Sequence, residues 1–155
     1  MKIQNQDYIM AEDILVNGPI TQGMISSILS ALGENTSTGG HSLFLGQVRA
    51  DIDGGRRVKA IEYSAYEAMV RAEADKIKKS IIAEYDDLRS IKILHSVGMV
   101  KAGEISLFIL VSAGHRHQAV TACSKMLEQI KEKLPVWKKE IFEDNTHVWR
   151  QNYLA

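Results

Sequence analysis

One proline decides how the last third of this chain can run. From Ala119, the apolar residues Cys123, Met126 and Ile130 return at spacings of four, three and four. That is the period of an amphipathic helix, so the segment from His115 to about Leu134 is predicted helical. Pro135 must end it, because proline lacks the helical N–H and its ring pushes Leu134 out of the α region. The chain then leaves as a strand with Val136, Lys138 and Glu140 on one face and Trp137, Lys139 and Ile141 on the other. Lys131 sits at the border of the helix's apolar stripe, so its ammonium group can meet that of Lys138 across the turn. Lys131, Lys133, Lys138 and Lys139 are four of the chain's 19 basic residues within ten positions. Lysines also complement a helix C-terminus and protect edge strands, so crowding alone leaves a structural and a functional reading open.

The same reasoning orders the rest of the chain. The stretch to about Val16 holds a short strand. Gly18-Pro19 marks a turn, and Thr21 caps a helix whose apolar positions Met24, Ile28 and Leu29 lead to Leu32, where Gly33 stops it. Gly33 to Gly40 is small and polar and reads as a flexible loop able to cover a pocket. His41 to Ala50 alternates as a strand with a bulge or close approach at Gly46. Asp53-Gly54-Gly55 turns it into Val58 to Ala65, giving a first hairpin. Val70, Ala74, Ile77 and Ile81 define a second helix to about Asp87, with its Lys and Glu residues on a solvated face. Ile91 to Val100 and Ile105 to Val111 form a second hairpin around 101–104, a β-rich surface able to pair with another copy. The order is β-α-β-β-α-β-β-α-β, an α+β sandwich with an antiparallel or mixed sheet and helices packed on one face.

A chain of 155 residues with 45% hydrophobic and 25% charged residues is expected to be one domain, 1–155. Zero formal net charge argues against bulk electrostatic attachment to nucleic acid or membrane and leaves room for a local basic pocket that takes a small anion. An RNA-binding sheet would need exposed aromatics and a basic face. The single cysteine, Cys123, excludes an intramolecular disulfide and falls on the apolar side of the last helix, where a buried thiol is expected. No apolar run is long enough to span a membrane and the start lacks a signal-peptide core, so a cytoplasmic location is expected. The five histidines show no zinc spacing, and no metal or cofactor is expected.

Ser112-Ala113-Gly114-His115-Arg116-His117 lies where a strand passes into a helix. Free N–H groups and an arginine there suit an anion; the structural alternative, which this segment by itself favours, is that His115 caps the helix and Arg116 pairs with a surface carboxylate. The Gly-x-Val-Arg segment ending at Arg49 offers a second cation at a strand end. These pieces, in order, resemble the large, catalytic subunit of molybdopterin synthase. The resemblance runs from about Gly40 to Trp149 and includes Phe44 to Arg49, Glu62-Tyr63 with Tyr66, His95 with Gly98, Gly103, His115-Arg116 with Ala119, and Pro135 to Glu140. The chain departs from the family pattern at Ser96, where Arg is usual, and at Asp144-Asn145, where an acidic-Gly turn is usual.

The resemblance implies a hammerhead or ferredoxin-like sandwich and a sulfurtransferase of molybdenum cofactor biosynthesis. Its substrate would be cyclic pyranopterin monophosphate, converted to molybdopterin. Sulfur would come from the thiocarboxylated C-terminal Gly-Gly of a small ubiquitin-like subunit, in a heterotetramer built on a central homodimer. It implies Lys131 and Lys138 as the catalytic pair. Lysines placed close together depress each other's pKa, and we assign Lys131 as acid/base and Lys138 as anchor for substrate or for the partner's terminal carboxylate. Gln47, Val48, Arg49, His115, Arg116, Lys139 and Glu140 would line the substrate pocket. The alternative is a non-catalytic module that docks the tail of a ubiquitin-like partner.

Overall fold

A computed structural model of the chain describes residues 13–151. The expected α+β sandwich forms around one mixed sheet. Its strands are β1 (Leu15–Asn17), β2 (Gly40–Gln47), β3 (Ile52–Asp53), β4 (Arg56–Ala65), β5 (Leu88–Lys101), β6 (Ile105–Ala113), β7 (Val136–Phe142) and β8 (His147–Gln151). The helices are α1 (Gln22–Ala31), α2 (Glu67–Glu84) and α3 (Arg116–Lys133). Most of the early alternation expected up to Val16 falls outside the described residues; its strand is β1, and β8 was not anticipated.

The sheet runs β2-β6-β5-β4-β7-β8, with β1 added in parallel to β5 and β3 added antiparallel to β4. The β5–β6 hairpin forms as expected, closed by Gly103 in the left-handed region (φ 92°) and by a bond from Glu104 N–H to Lys101 O (2.9 Å). The first hairpin is different. Only β3 folds back on the start of β4 around Gly54-Gly55, both at positive φ, whereas β2 crosses to the sheet edge and pairs with β6 from Gly40↔Ala113 onward. Between them Val48 is tied to the β5–β6 turn, donating to Glu104 O (3.0 Å) and accepting from Gly103 N–H (2.8 Å). A strand as apolar as β6 is buried on both faces, so it needs a neighbour on each side, and β2 supplies one. The region 91–111 therefore lies mid-sheet, and the free edges along the main path are β2 and β8.

Alternate residues of β6 serve two cores. Leu107, Ile109 and Val111 join the main core under α2 and α3, while Phe108 and Leu110 pack with Leu94, Ile20 and α1 on the opposite face. The two long helices thus share one face and α1 takes the other. Thr21 caps α1 as expected, accepting from Met24 N–H. The face that α1 packs is Ile25, Ile28 and Leu32, leaving Met24 and Leu29 exposed; both sets have helical spacing, and only the sheet beneath selects between them. The helix passes through a 3-10 turn at Leu32–Glu34 before it stops. On α2, Lys78 is 1% exposed and belongs to the buried side, against the expected solvated face. The bulge expected at Gly46 is present between Gly46 and Gln47, where a Cβ would stand 3.1 Å from that of Leu107.

The Gly33–Gly40 loop is anchored. Asn35 Oδ1 accepts from Ser37 N–H (3.0 Å), Ser37 Oγ accepts from Arg89 Nε (3.0 Å), and Gly39 N–H reaches Ala113 O (3.0 Å). The loop lies against the N-terminus of α3, with Gly40 packed on the Arg116 backbone. A Cβ at Gly39 would fall well inside contact distance of the Gly114 carbonyl, whereas one at Gly33 would meet nothing within 4 Å. Gly39→Ala is therefore expected to cost about 1–3 kcal/mol in denaturant unfolding, and Gly33→Ala to change stability by less than about 1 kcal/mol.

Candidate active site

Helix α3 ends where the sequence requires. Leu134 turns extended (φ −67°, ψ 127°), its N–H closing on Ile130 O, and Pro135 delivers the chain into β7. The main-core side of α3 carries Ala119, Ala122, Cys123, Met126 and Ile130, which leaves Lys131 half-buried beside the sheet. Strand β7 is interior, flanked by β4 and β8, with Lys138 opposite Tyr63 on one side and Arg150 on the other. Lys138 is 7% exposed, so it does not serve as an edge-strand guard. Its face is that of Val136 and Tyr63, the face α3 covers.

The two lysines feel one another. Lys138 is pushed down to about 8, first by burial and then by the Lys131 charge, with Arg49 and Arg150 adding and Glu140 opposing. Lys131 is also lowered, by burial and then by Arg49. With a pKa near 8, about a tenth of Lys138 is unprotonated at pH 7, so it can exchange a proton in both directions. Glu140 sits on the same face and accepts from Arg150 Nε (2.7 Å), while Arg150 also pairs with Asp53 (2.9 Å).

Beneath the pair lie residues that spacing did not single out. His95 on β5 is 2% exposed and lies edge-on to Tyr63, with ring centroids 5.4 Å apart. Its Nδ1 is 2.8 Å from Ser96 O, and a carbonyl can only accept, so the proton is on Nδ1. Burial drops its pKa to about 4, helped by the Lys131 and Lys138 charges, so the imidazole is neutral there. Tyr63 donates to Ser106 Oγ (3.0 Å) and burial raises its own pKa. Tyr63, His95 and Arg150 face the lysines only because β4, β5 and β8 converge there; no local period in the sequence carries that.

The remaining expected site residues divide. Arg49 leaves the end of β2 with its side chain 80% exposed, paired with Asp51 (3.2 Å), and its charge reaches both lysines. Gln47 is exposed at the bulge. Val48 has its side chain in the main core, leaving only its backbone for a ligand, and that backbone is engaged by Gly103 and Glu104. Lys139 points to the opposite face of β7, over the ring of Trp149 (5.8 Å). His115 and Arg116 are at the other end of α3. Fifteen residues at 1.5 Å each put Arg116 roughly 22 Å from Lys131, so a single chain does not bring them to the pair.

A family model described as MoaE protein matches residues 19–133. A molybdopterin synthase catalytic subunit of Drosophila grimshawi is 37% identical over 139 residues, 89% of this chain and 37% of its own length. The chain thus spans little more than a third of that relative. A catalytic subunit of the same name from Dictyostelium discoideum is 37% identical over 118 residues, 75% of this chain and 74% of its own. A crystal structure of molybdopterin synthase from Staphylococcus aureus superposes with a TM-score of 0.76 at 30% identity, covering 88% of this chain and 94% of that one.

The Lys138 shift fixes a stability signature. Its folded pKa, about 8, is below the ordinary 10.5, so between those values the unfolded chain holds more protons and stability rises with pH. Below about 8 the buried charge is uncompensated by that release. Lys138→Met is expected to be more stable than wild type by about 1–3 kcal/mol at pH 7. The advantage should shrink as pH climbs toward 10.5, as read from paired urea titrations.

Proposed function

Because the chain belongs to the MoaE protein family, we propose that it is the catalytic subunit of a molybdopterin synthase. It transfers sulfur from the thiocarboxylated Gly-Gly tail of a small ubiquitin-like subunit to cyclic pyranopterin monophosphate, forming the dithiolene of molybdopterin, in the cytoplasm. The observation that carries this is the convergence of Lys131 and Lys138 at the α3–β7 turn with depressed proton affinities. Sulfur transfer develops negative charge on carbonyl and sulfur atoms, which fixed ammonium groups stabilise in a site sheltered from water. Lys138, near pKa 8, is the better proton exchanger; Lys131, more exposed, is the anchor for substrate or for the tail carboxylate. These roles reverse the ones expected from sequence. The neutral His95 beneath adds no further positive charge to the site, and Arg49 supplies a cation for the cyclic phosphate.

Placing His115 and Arg116 in the same pocket requires a second copy of the chain. The N-terminus of α3 from one protomer then faces the lysine pair of its partner, a homodimer with a small subunit on each catalytic end. Lys139 lies on the opposite face of β7 and belongs to the docking surface, with Trp137 and Trp149, more than to the substrate.

In an assay with thiocarboxylated small subunit and pyranopterin, Lys131→Ala and Lys138→Ala are expected to lose nearly all dithiolene formation while the small subunit still binds. Lys133→Ala, exposed in the same basic run, stays near wild type. Equal loss in all three would mean a diffuse basic surface, and no loss in any would leave only a docking module.

Mixing inactive Lys131→Ala chains with inactive Arg116→Ala chains is expected to restore activity. A mixed dimer carries one site with both residues intact. A site built within one chain would leave the mixture dead.

A further inference from the structure

The far end of α3 holds a second polar network. His115, the residue that caps α3, makes no side-chain bond to its own helix. Its Nδ1 instead lies 2.8 Å from Asp87 Oδ2 at the entry to β5. A carboxylate accepts, so Nδ1 carries the proton and Nε2 points away from Asp87, on a side chain that is 86% exposed.

Asp87 is itself held from several directions. Its Oδ1 meets Arg89 (3.2 Å), whose side chain is 10% exposed. Arg89 also donates to the Asp87 carbonyl (2.9 Å) and to Ser37 Oγ (3.0 Å). Asp87 N–H donates to Gln118 Oε1 (2.8 Å), and Gln118 Nε2 donates to Asp86 Oδ1 (2.8 Å). The chain is bare where the carboxylate approaches: a Cβ at Gly114 would stand 2.5 Å from Asp87 Oδ1 and 2.7 Å from Arg89. Asp87 is held well ionised, its pKa lowered chiefly by the bond from His115, with Arg89 adding.

Charge balance does not explain the His115 contact, since Arg89 already neutralises Asp87. Helix capping does not explain it either. What the contact does is commit one ring nitrogen and aim the other outward beside Arg116, which is exposed. An isolated exposed imidazole samples several rotamers and both tautomers, and a ligand must then select one at an entropic cost. A carboxylate on the rear nitrogen removes that choice, as in other sites where a histidine is oriented from behind.

We propose that Asp87 is a positioning residue for the substrate pocket: it acts through His115, fixing the ring's tautomer and direction so that Nε2 meets the pyranopterin bound at the partner protomer's lysine pair. Arg89, Ser37 and Gly114 hold the carboxylate in place. This rests on His115 belonging to that pocket, as proposed above.

Two measurements test it. The first is a double-mutant cycle on the affinity for cyclic pyranopterin monophosphate. His115→Ala is expected to weaken binding about tenfold, Asp87→Ala about three- to tenfold, and the double variant no more than His115→Ala alone, because Asp87 acts only through the ring. Asp87→Asn keeps an oxygen that accepts from Nδ1–H and should bind within about threefold of wild type. Asp87→Leu, which offers no acceptor to Nδ1–H, stands in for the alanine variant should that fail to fold. The second is the ¹⁵N spectrum of the His115 side chain without substrate. It should report a protonated Nδ1 in wild type and in Asp87→Asn, and a mixture of tautomers in Asp87→Ala.

If His115→Ala binds substrate like wild type, the pocket reading of His115 falls and takes this proposal with it. If His115→Ala weakens binding but Asp87→Ala does not, or if the two losses add, the pocket reading stands and the role of Asp87 is overturned. An unchanged tautomer in Asp87→Ala overturns it as well.

Discussion

The junction at Pro135 is the constraint on which the site depends. A helix that ran one turn further would start β7 about 5.4 Å further along and part Lys138 from Lys131, and a flexible exit would let β7 slip in register. A one-residue slip moves every side chain of a strand to the other face, which would exchange Lys138 for Lys139 or Trp137. The bond from Leu134 N–H to Ile130 O and the extended Leu134 backbone leave one path, and pairing on both sides of β7 fixes the register. Lys138 is thereby pressed into the interior under the end of α3.

Bringing two ammonium groups into a dry place is unfavourable, and the surroundings limit the cost without cancelling it. Glu140 offers one compensating charge and is shared with Arg150. His95 stays uncharged. The remaining imbalance appears as lowered proton affinity in both lysines. A chain with zero net charge overall can therefore hold a strongly positive pocket, because the field that matters is set within a few ångströms by burial and not by the total.

Helix α3 joins two polar centres that lie too far apart to cooperate within one molecule. At its C-terminal end is the lysine pair; at its N-terminal end the loop of Gly33–Gly40, the start of β5 and Gly114 lock Asp87 and His115. A rigid rod with a different chemistry at each end suits the symmetric dimer proposed above, in which each rod would complete the other's site. The loop that composition alone marks as free is one of the clamps on that far end.

Local patterns were enough for the elements whose signals are local. Pro135 after a four-three-four apolar repeat determined the end of α3 and the start of β7, Thr21 determined the start of α1, and Gly46 the bulge in β2. The ordered set of motifs from Phe44 to Glu140 was enough for the family. Pairing partners were not legible, since an alternating strand states its period and not its neighbour: β2 joins β6, across the sheet from β4, because β6 is apolar on both faces. Nor could α1 choose between two overlapping apolar stripes without the second core beneath it. In the site, the sequence put Lys131 and Lys138 within reach of each other, but only the tertiary structure set Tyr63, His95 and Arg150 around them, turned Lys139 away and put His115 and Arg116 a helix length off. Periodicity along a chain fixes the direction of a side chain relative to its own element; what that side chain meets is decided by which elements pack together.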